Sequence, residues 1–372
     1  MLSYKKIALE QALPVREAAG LRRGQRRLMS PVGPDVLRDF AFLGRRMNTD
    51  RQKSRAAALS VASNTTLVAF KLLVGLATGS VSVLSEAIHS GMDLAAALIA
   101  LFAVRTSARP ADREHPFGHA KAESISAAVE ALLIFAAAAW IIYEAVRRLM
   151  TPRPVEMLGW GIGVMLVSSA INLVVSQTLF RVGRKTESSA LLADAWHLRT
   201  DVYTSAGVML GLAIIFVGGR LFPTVGLHWI DPAVAIGVAL LILKAAYDLT
   251  AGAVRDMMDT SFPRRDLAWL DQYLNSLAPT VCSFHRVRTR KAGAARFVDM
   301  HVVVDPQMSV EESHSVTEKI EAEIRARFPD ASVVVHIEPC DGTCDKACVE
   351  GCLLPEEEQQ AMRASARKGL RA

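Results

Sequence analysis

Charged and aromatic residues are scarce in this sequence. Charged side chains make up 22% of its 372 residues and aromatic ones 6%, whereas 51% are hydrophobic. The charges lie mostly at the two ends and in short central clusters, a distribution typical of membrane proteins. The net charge of +6 does not indicate nucleic-acid binding, because the basic residues lack interleaved aromatics and flank apolar segments. Anionic lipid headgroups are therefore the expected partner, and no nucleic acid is expected.

Motifs for nucleotide-driven transport and for secretion are also absent. The sequence holds no P-loop of the form GxxxxGK[ST] and no phosphorylated-aspartate motif of an ion-pumping ATPase, which argues against coupling to ATP. No secretory signal opens the sequence, and four of its five cysteines lie near its end. We therefore expect reduced thiols, and soluble parts that lie in the cytoplasm.

Between Ala56 and Thr250 there are several apolar runs long enough for membrane-spanning helices, which need roughly 20 residues. Hydropathy predicts an α-helical integral membrane protein with six transmembrane helices, over Ala57 to Ala77, Val81 to Val104, Ser124 to Ala145, Leu158 to Phe180, Ser188 to Val217 and Ile230 to Leu249. An even number of spans returns both termini to one side. Three basic segments favour the cytoplasmic side: the amino-terminal tail, Arg105 to Lys121 and Arg181 to Lys185. Three arginines of the third loop then lie outside, against that rule: Arg147, Arg148 and Arg153.

We divide the chain into four parts. Residues 1–55 are rich in arginine and broken by prolines, which predicts a flexible basic tail that touches lipid headgroups. An upstream extension without function is an equal alternative, since Met47 begins a stretch that would serve as well as a start. Residues 56–258 form the transmembrane domain and residues 259–340 a cytoplasmic domain. Residues 341–372 form a charged, cysteine-containing carboxy-terminal tail.

The cytoplasmic domain has the pattern of a small α+β layer. Helical and strand-forming segments alternate in the order helix Arg264 to Leu277, strand Ser283 to Thr289, strand Arg296 to Val304, helix Val310 to Arg327 and strand Ser332 to Ile337. A turn around Gly293 joins the first two strands as a hairpin. The order predicts a ferredoxin-like αββαβ domain, with helices covering one face of a sheet.

Ionisable residues recur inside the predicted spans, where they are costly and mark functional sites. His89 and Asp93 are four residues apart in the second span, and His197 and Asp201 repeat that spacing in the fifth. Side chains at i and i+4 share one helix face, so two such faces turned together offer a four-coordinate N2O2 site suited to Zn²⁺. The alternative is that each histidine merely neutralises its neighbouring carboxylate. Two further acidic residues, Glu86 and Asp194, each lie three residues before the histidine of their own span. They are candidates for supporting the ligands or relaying protons.

The cysteines near the end of the chain recur every four residues. On a regular helix their thiols would form a stripe too long for one ion, but Gly342 and Gly351 favour a looped segment. Such a segment can gather four thiolates into a tetrahedral metal site, formed by Cys340, Cys344, Cys348 and Cys352. Reduced cysteines without a fixed role are the alternative.

From about Arg51 to Cys340 the sequence resembles the cation diffusion facilitator family. The resemblance rests on the segments SEAIHSGMD, RPADREHPFGHAKAES, HLRTD and HRVRTRKAG, which follow one another in the family's order. It implies that the paired His and Asp residues of the second and fifth spans form the transport site, and that the second-span histidine goes with zinc. It also implies a charge pair between Lys121 and Asp259 that ties the membrane and soluble parts together.

The resemblance implies two further metal sites. One lies in the loop after the second span, on Asp112, His115 and His119. The other is a binuclear site that holds two copies of the cytoplasmic domain together as a homodimer, on His285, His301, His314, His336 and Glu338. The last position is commonly Asp in relatives, so the longer Glu departs from the family pattern.

These observations predict a divalent transition-metal transporter, which exports Zn²⁺ from the cytoplasm in exchange for protons. No enzyme activity and no catalytic cofactor are expected, because four protein ligands leave no open coordination position for a substrate. Zn²⁺ is then substrate and structural or regulatory ion, in a bacterial inner or plasma membrane. A membrane sensor or scaffold that binds ions without moving them is the alternative function. Iron, cobalt, manganese and cadmium are alternative cargoes, since the affinity order does not set selectivity.

Overall fold

A computed structural model describes residues 34–78, 81–151, 159–221, 229–329, 331–342 and 346–369. The chain divides into two compact units, residues 1–48 and residues 49–372. All the sites discussed below lie in the second unit.

Six long helices occupy the region of the predicted spans. They are α1 (Pro34–Thr78), α2 (Val81–Ser107), α3 (Lys121–Met150), α4 (Gly159–Thr186), α5 (Ser189–Leu221) and α6 (Ile230–Met257). Within the described residues, five of them are long and apolar enough to cross a membrane, all except α5. The first half of α5 carries Asp194, His197, Arg199 and Asp201. The prediction of a helical membrane domain is confirmed, with most helices extending beyond their predicted spans.

The amino-terminal prediction needs a correction. Residues 34–55 were expected to belong to a flexible tail, but they are helical from Pro34 onwards. Proline fits the first position of a helix, where its missing N–H is not needed, and the following residues contain no further proline. Arginine, which recurs in this segment, is a good helix former, so the clustered arginines do not prevent a helix. Residues 1–33 lie outside the described part of the chain.

Small residues fill the contacts between the membrane helices. Ala56, Ala57 and Ala190 are buried with Leu179 and Leu198 where α1, α2, α4 and α5 meet. A second cluster joins α3 and α6 through Ile134, Ala138, Ile242 and Ala246. Because alanine lets helix backbones approach closely, these helices pack through alternating small and large side chains.

The soluble domain has the predicted αββαβ order. Its elements are α7 (Arg264–Asn275), β1 (Ser283–Ala292), β2 (Ala295–Val304), α8 (Val310–Arg327) and β3 (Ala331–Pro339). The central strand β2 pairs antiparallel with β1 and parallel with β3. Apolar residues of α7 and α8 pack on one face of the sheet, among them Leu270, Leu274, Ile320 and Ile324. Ser309 and Glu312 form a capping box that begins α8.

The carboxy-terminal segment, predicted as a charged tail that contains cysteines, packs against the soluble domain. It contains the short helices α9 (Lys346–Glu350) and α10 (Glu356–Gly369). The backbone N–H of Leu353 donates to the carbonyl of Cys282 at 2.8 Å, and Cys352 bridges to Ser283. Apolar side chains drive this packing, because Leu354 and Met362 lie against a buried cluster that includes Val303.

Candidate metal centres

The two His–Asp motifs of the membrane domain face each other between α2 and α5. His197 Nε2 lies 3.1 Å from Asp93 Oδ1, and His89 Nε2 lies 3.9 Å from Asp201 Oδ1. Each histidine therefore meets the aspartate of the other helix. Ligand atoms of His89, Asp93 and Asp201 lie within 4.8 Å of one another, which is close enough for one ion. One nitrogen and two oxygens thus converge, and His197 contacts this group through Asp93. Imidazole and carboxylate together are a donor set that suits Zn²⁺.

A cavity of about 210 Å³ opens beside this group. It is lined by Lys71 near the end of α1, Glu86 near the start of α2 and Thr204 in the middle of α5, as well as by the ligands. Half of the His89 side chain is exposed, whereas the Asp93 side chain is 6% exposed. The cavity therefore extends from the transport-site candidates towards Lys71 and Glu86.

Glu86 and Asp194, the two supporting candidates, have different surroundings. The Lys71 ammonium lies 3.0 Å from Glu86 Oε2 and donates to Ser90 Oγ at 2.8 Å, so Glu86 is held as an ion pair. Asp194 is fully buried, and neither of its carboxylate oxygens has a hydrogen-bond partner among the described residues. A buried unpaired carboxylate in a membrane helix is costly and therefore marks a functional position.

Two more polar residues near the site were missed from the sequence. Asn172 Nδ2, on α4, lies 3.5 Å from Asp201 Oδ2. Glu130, on α3, is fully buried, and one of its oxygens accepts from Ser126 Oγ at 3.1 Å. Both lie inside predicted apolar spans, and the signal that singled out His89, an ionisable residue in such a span, also applied to Glu130 but not to the neutral Asn172. They lacked the H-x3-D spacing and were passed over.

The loop between α2 and α3 brings its three candidate ligands together. Asp112 lies 3.3 Å from His115 Nδ1 and 3.4 Å from His119 Nε2. The two imidazole rings are 4.3 Å apart between centroids. The backbone N–H of His115 also donates to the carboxylate, and these hydrogen bonds lower the pKa of Asp112. The carboxylate is thus ionised and faces two imidazoles, an arrangement able to bind a divalent cation.

Strand register explains the group in the soluble domain. His285 on β1 pairs with His301 on β2, and His301 pairs with His336 on β3, so three histidines form one row across the sheet. Glu338, two residues along β3, reaches back to this row. Its carboxylate lies 3.2 Å from His285 Nε2 and 2.7 Å from His301 Nδ1. The hydrogen bond from His301 lowers the pKa of Glu338.

The remaining predicted residues of this group are less closely placed. His336 Nε2 lies 3.7 Å from Glu338, but its side chain is 63% exposed. His314 lies on α8, pairs with Glu318 at 3.4 Å, and is not among the three residues whose ligand atoms converge. The converging set of two imidazoles and one carboxylate fits Zn²⁺, and the longer Glu does not prevent that convergence. When bound there, the ion would join β1, β2 and β3.

The Lys121–Asp259 pair is present at 3.0 Å and is joined by Arg290, which lies 3.3 Å from the same carboxylate. The hydrogen bond from Lys121 lowers the pKa of Asp259. The guanidinium of Arg290 also lies 4.7 Å from the ring centroid of Phe117, in the α2–α3 loop, and 3.9 Å from that of Phe297 on β2. Membrane and soluble parts are thus linked by charge and by cation–π contacts.

Three of the four cysteines of the predicted thiolate set lie in the described part of the chain. Cys340 is buried beside Cys282, while Cys348 and Cys352 are half-buried nearby. Cys344 lies outside the described residues. In the described part of the chain, the groups of three converging metal-ligand side chains contain no cysteine.

Comparison with known proteins gives matches to both halves of the chain. Residues 57–258 match a cation efflux transmembrane domain, and residues 263–340 match the cytoplasmic domain of a cation efflux protein. An uncharacterized transporter of Synechocystis, sll1263, is 38% identical over 285 residues, which cover 77% of this chain and 90% of that protein. The cation-efflux pump FieF of Yersinia pestis is 35% identical over 287 residues, which cover 77% and 93%.

Among solved structures, the metal-bound C-terminal domain of the CzcD transporter from Thermotoga maritima is 34% identical. The match covers 21% of this chain and 94% of that domain, with a TM-score of 0.19. The similarity to the two transporters is more extensive, since each match covers 77% of this chain.

Proposed function

Because this chain belongs to the cation diffusion facilitator family of metal cation transporters, we propose that it exports Zn²⁺ from the cytoplasm in exchange for protons. The transport site consists of His89, Asp93, His197 and Asp201. The observation that carries this proposal is the crossed geometry of the two motifs, in which each histidine faces the aspartate of the other helix. An N2O2 set of this kind favours zinc over harder ions such as Mg²⁺, which prefer oxygen alone.

Exchange for protons follows from the chemistry of the ligands. Histidine binds a metal only when it is neutral, and free histidine titrates at about pH 6.5. Protons and Zn²⁺ therefore compete for His89 and His197, so that release of the metal and uptake of protons are linked. Rocking of the helices would expose the site alternately to the two sides of the membrane, with no separate energy-supplying module.

The soluble domain supplies a second proposed role for the metal. Zn²⁺ at His285, His301 and Glu338, with His336 and His314 as further ligands, holds two copies of the chain together as a homodimer. The loop group of Asp112, His115 and His119 binds a further ion at the membrane surface. Both termini lie in the cytoplasm, and the membrane is the inner or plasma membrane of a bacterium. The cysteines near the carboxy terminus, Cys340, Cys344, Cys348 and Cys352, remain a weaker candidate for a thiolate site.

The test is metal flux into proteoliposomes that contain the purified full chain. Zinc, iron, manganese, cobalt and cadmium are compared under an imposed pH gradient, with the double variant His89→Ala, Asp201→Ala alongside. We expect zinc to dominate, the flux to follow the gradient, and the variant to lose it. Flux of another metal above zinc would overturn the choice of cargo, and flux indifferent to the gradient would overturn proton exchange.

A sensor or scaffold is the competing function from another class. The cluster of His285, His301 and Glu338 favours a sensor or scaffold, because these three ligands converge in the soluble domain and no membrane helix takes part. It predicts metal binding to the full chain with no flux of any cation tried. The same proteoliposomes therefore separate the two functions.

A further inference from the structure

Glu123, in the first turn of α3, is a buried acidic residue that the transport chemistry does not use. Its side chain is 2% exposed and both carboxylate oxygens have partners. Lys53 Nζ lies 3.0 Å from Oε1, and Ser107 Oγ donates to the same oxygen at 2.7 Å. Ser188 Oγ donates to Oε2. One carboxylate therefore joins α1, the last residue of α2, the start of α3 and the residue that precedes α5.

This group lies at one end of the membrane domain, which we call the loop face: the end that carries residues 108–120 and 187–188. Along α2, Ser107 is 14 residues beyond Asp93, a distance of roughly 20 Å. The cavity beside the transport site extends the other way, towards Lys71 and Glu86. In this state the site is thus open away from the loop face, where Glu123 holds the adjoining ends of α2, α3 and α5 together with Lys53, which lies within α1.

Breaking such a group is costly. The side chains of Lys53 and Glu123 are 6% and 2% exposed, so loss of either partner would leave a charge buried without compensation. If Zn²⁺ is to reach His197 and Asp93 from the loop face, the helix ends must separate and both groups must be hydrated. The ion pair therefore favours the state that is closed on this side.

A second set of contacts connects this group to the soluble domain. Glu187, the neighbour of Ser188, accepts two hydrogen bonds from Arg296 at 2.8 and 3.1 Å and lies 2.8 Å from Lys291. Burial alone would raise the pKa of Glu187, but these two cations lower it overall. Lys291 and Arg296 belong to the β1–β2 hairpin, on the strands that carry His285 and His301. Adjacent residues of one short turn thus contact the hairpin and Glu123.

We propose that Glu123 is the residue that holds the loop face closed, and that Glu187 and Ser188 transmit the position of the soluble domain's hairpin to it. Metal at His285 and His301 would move the hairpin. Because Glu187 contacts the hairpin, this movement would change the equilibrium between the closed and the open loop face. This role rests on the proposed function: Glu123 would control access to the transport site from the loop face, and metal bound to the soluble domain would act on Glu123 through Glu187 and Ser188. Glu123 acts as a positioning residue, since it does not touch the cargo.

The experiment is hydrogen–deuterium exchange of the full chain in lipid nanodiscs, with and without added zinc. The amides of residues 121–126 and 188–192 report on the loop face. Glu123→Gln and Glu187→Gln are compared with the wild type and with Glu144→Gln, which removes an exposed carboxylate from the other end of the same helix, where it pairs with Arg148 at 3.2 Å. Lys53→Gln and Ser188→Ala serve as second variants in case Glu123→Gln does not fold.

We expect Glu123→Gln to raise exchange at the loop face by at least about tenfold without zinc, because local opening no longer breaks a buried ion pair. Zinc should change this exchange in the wild type and in Glu144→Gln, but not in Glu187→Gln, although the latter still binds zinc. An increase spread evenly over all helices would mean that Glu123 is merely structural, and would overturn the gate. A wild-type response in Glu187→Gln would overturn the link.

Zinc flux of the same wild-type preparation is measured in parallel. Exchange that is unaffected by either variant, in a protein that transports zinc, overturns this inference and leaves the proposed function standing. Absence of flux in the wild type counts against the proposed function instead.

Discussion

His197 Nε2 lies 3.1 Å from Asp93 Oδ1, across the contact between α5 and α2. The histidine of one H-x3-D motif thus faces the aspartate of the other, and the reverse pair, His89 with Asp201, is looser at 3.9 Å. Neither helix can complete the site alone. Metal affinity therefore depends on the relative position of α2 and α5, and this dependence allows movement of the helices to release the ion.

Asp93→Asn is expected to lower zinc affinity and zinc flux of the full chain by at least about tenfold, since even loss of an outer partner of a metal ligand costs 10- to 100-fold. The amide keeps the size of the side chain but removes the negative charge and presents an N–H₂ group that cannot bind the metal. Zinc binding by calorimetry and flux in proteoliposomes measure the two effects.

The matched control for this substitution is Glu144→Gln, which removes one carboxylate from an exposed ion pair on α3. Its flux should stay within about twofold of the wild type, because exposed pairs contribute little. Equal zinc affinity in Asp93→Asn and the wild type would exclude Asp93 as a ligand.

Much of the fold follows from local patterns in the sequence. Apolar runs predicted the membrane helices, and the turn at Gly293 between two runs of strand-forming residues predicted the hairpin, where Gly293 has the positive φ of 56° that glycine adopts readily. The H-x3-D spacing put His89 and Asp93 on one helix face. Spacing within one helix does not predict which residue of another helix it contacts. The crossed pairing of His197 with Asp93 could therefore not be predicted without the packing of α2 on α5.

The failures have physical causes of the same kind. Helix over residues 34–55 was missed because clustered arginines and scattered prolines were taken for a flexible tail, although arginine is a good helix former and Pro34 begins the helix. Glu123 belongs to the KAES segment, where nothing local shows that Lys53, 70 residues earlier, is its partner. The cysteine segment was read in isolation, whereas its packing depends on contact with Cys282 and Val303 in the soluble domain.

Glu338→Ala is expected to weaken zinc binding to the soluble domain while leaving the transport site able to bind. The Glu338 carboxylate is the group that His285 and His301 share, so its loss leaves two imidazoles without an oxygen ligand. Zinc titration of the full chain should then show either the loss of one class of binding site or, for that class, an affinity lower by at least about tenfold.

Glu338→Asp tests the length of this side chain in the same titration. Binding restored to the wild-type level would indicate that the row of histidines accepts either acid. Glu321→Ala is the control, because the ion pair of Glu321 with Arg325 on α8 involves no proposed ligand. Zinc binding unchanged by Glu338→Ala would exclude Glu338 as a ligand.

Glu187→Gln is expected to make the thermal unfolding of the full chain depend differently on pH. The pKa of Glu187 is lowered in the folded protein from its ordinary value of 4.5, so its ion pairs stabilise the folded state above about pH 4.5 and are lost as the pH falls through the lower, folded pKa. The variant should unfold at a lower temperature than the wild type at pH 7, by at most about 4 °C.

That difference in unfolding temperature should shrink as the pH falls below 4.5. Glu321→Gln, which breaks a pair with Arg325 at 2.9 Å on α8, is the matched control and should shift the midpoint less, because Glu321 loses one cationic partner where Glu187 loses two. A difference between Glu187→Gln and the wild type that grows at low pH would contradict the ionised state of Glu187.

Cys282 is expected to resist alkylation in the folded chain. Burial, and then the neighbouring Cys340, raise the pKa of its thiol to about 12, so at pH 8 only about one part in ten thousand is the reactive thiolate. Iodoacetamide should therefore modify the half-buried Cys352 well before Cys282, as peptide mass spectrometry can measure, and modify both equally in denaturant. Removing residues 346–372 should uncover Cys282, because that segment supplies the Leu353 and Leu354 contacts that cover it. Rapid modification of Cys282 in the intact chain would show that the segment does not stay packed against β1.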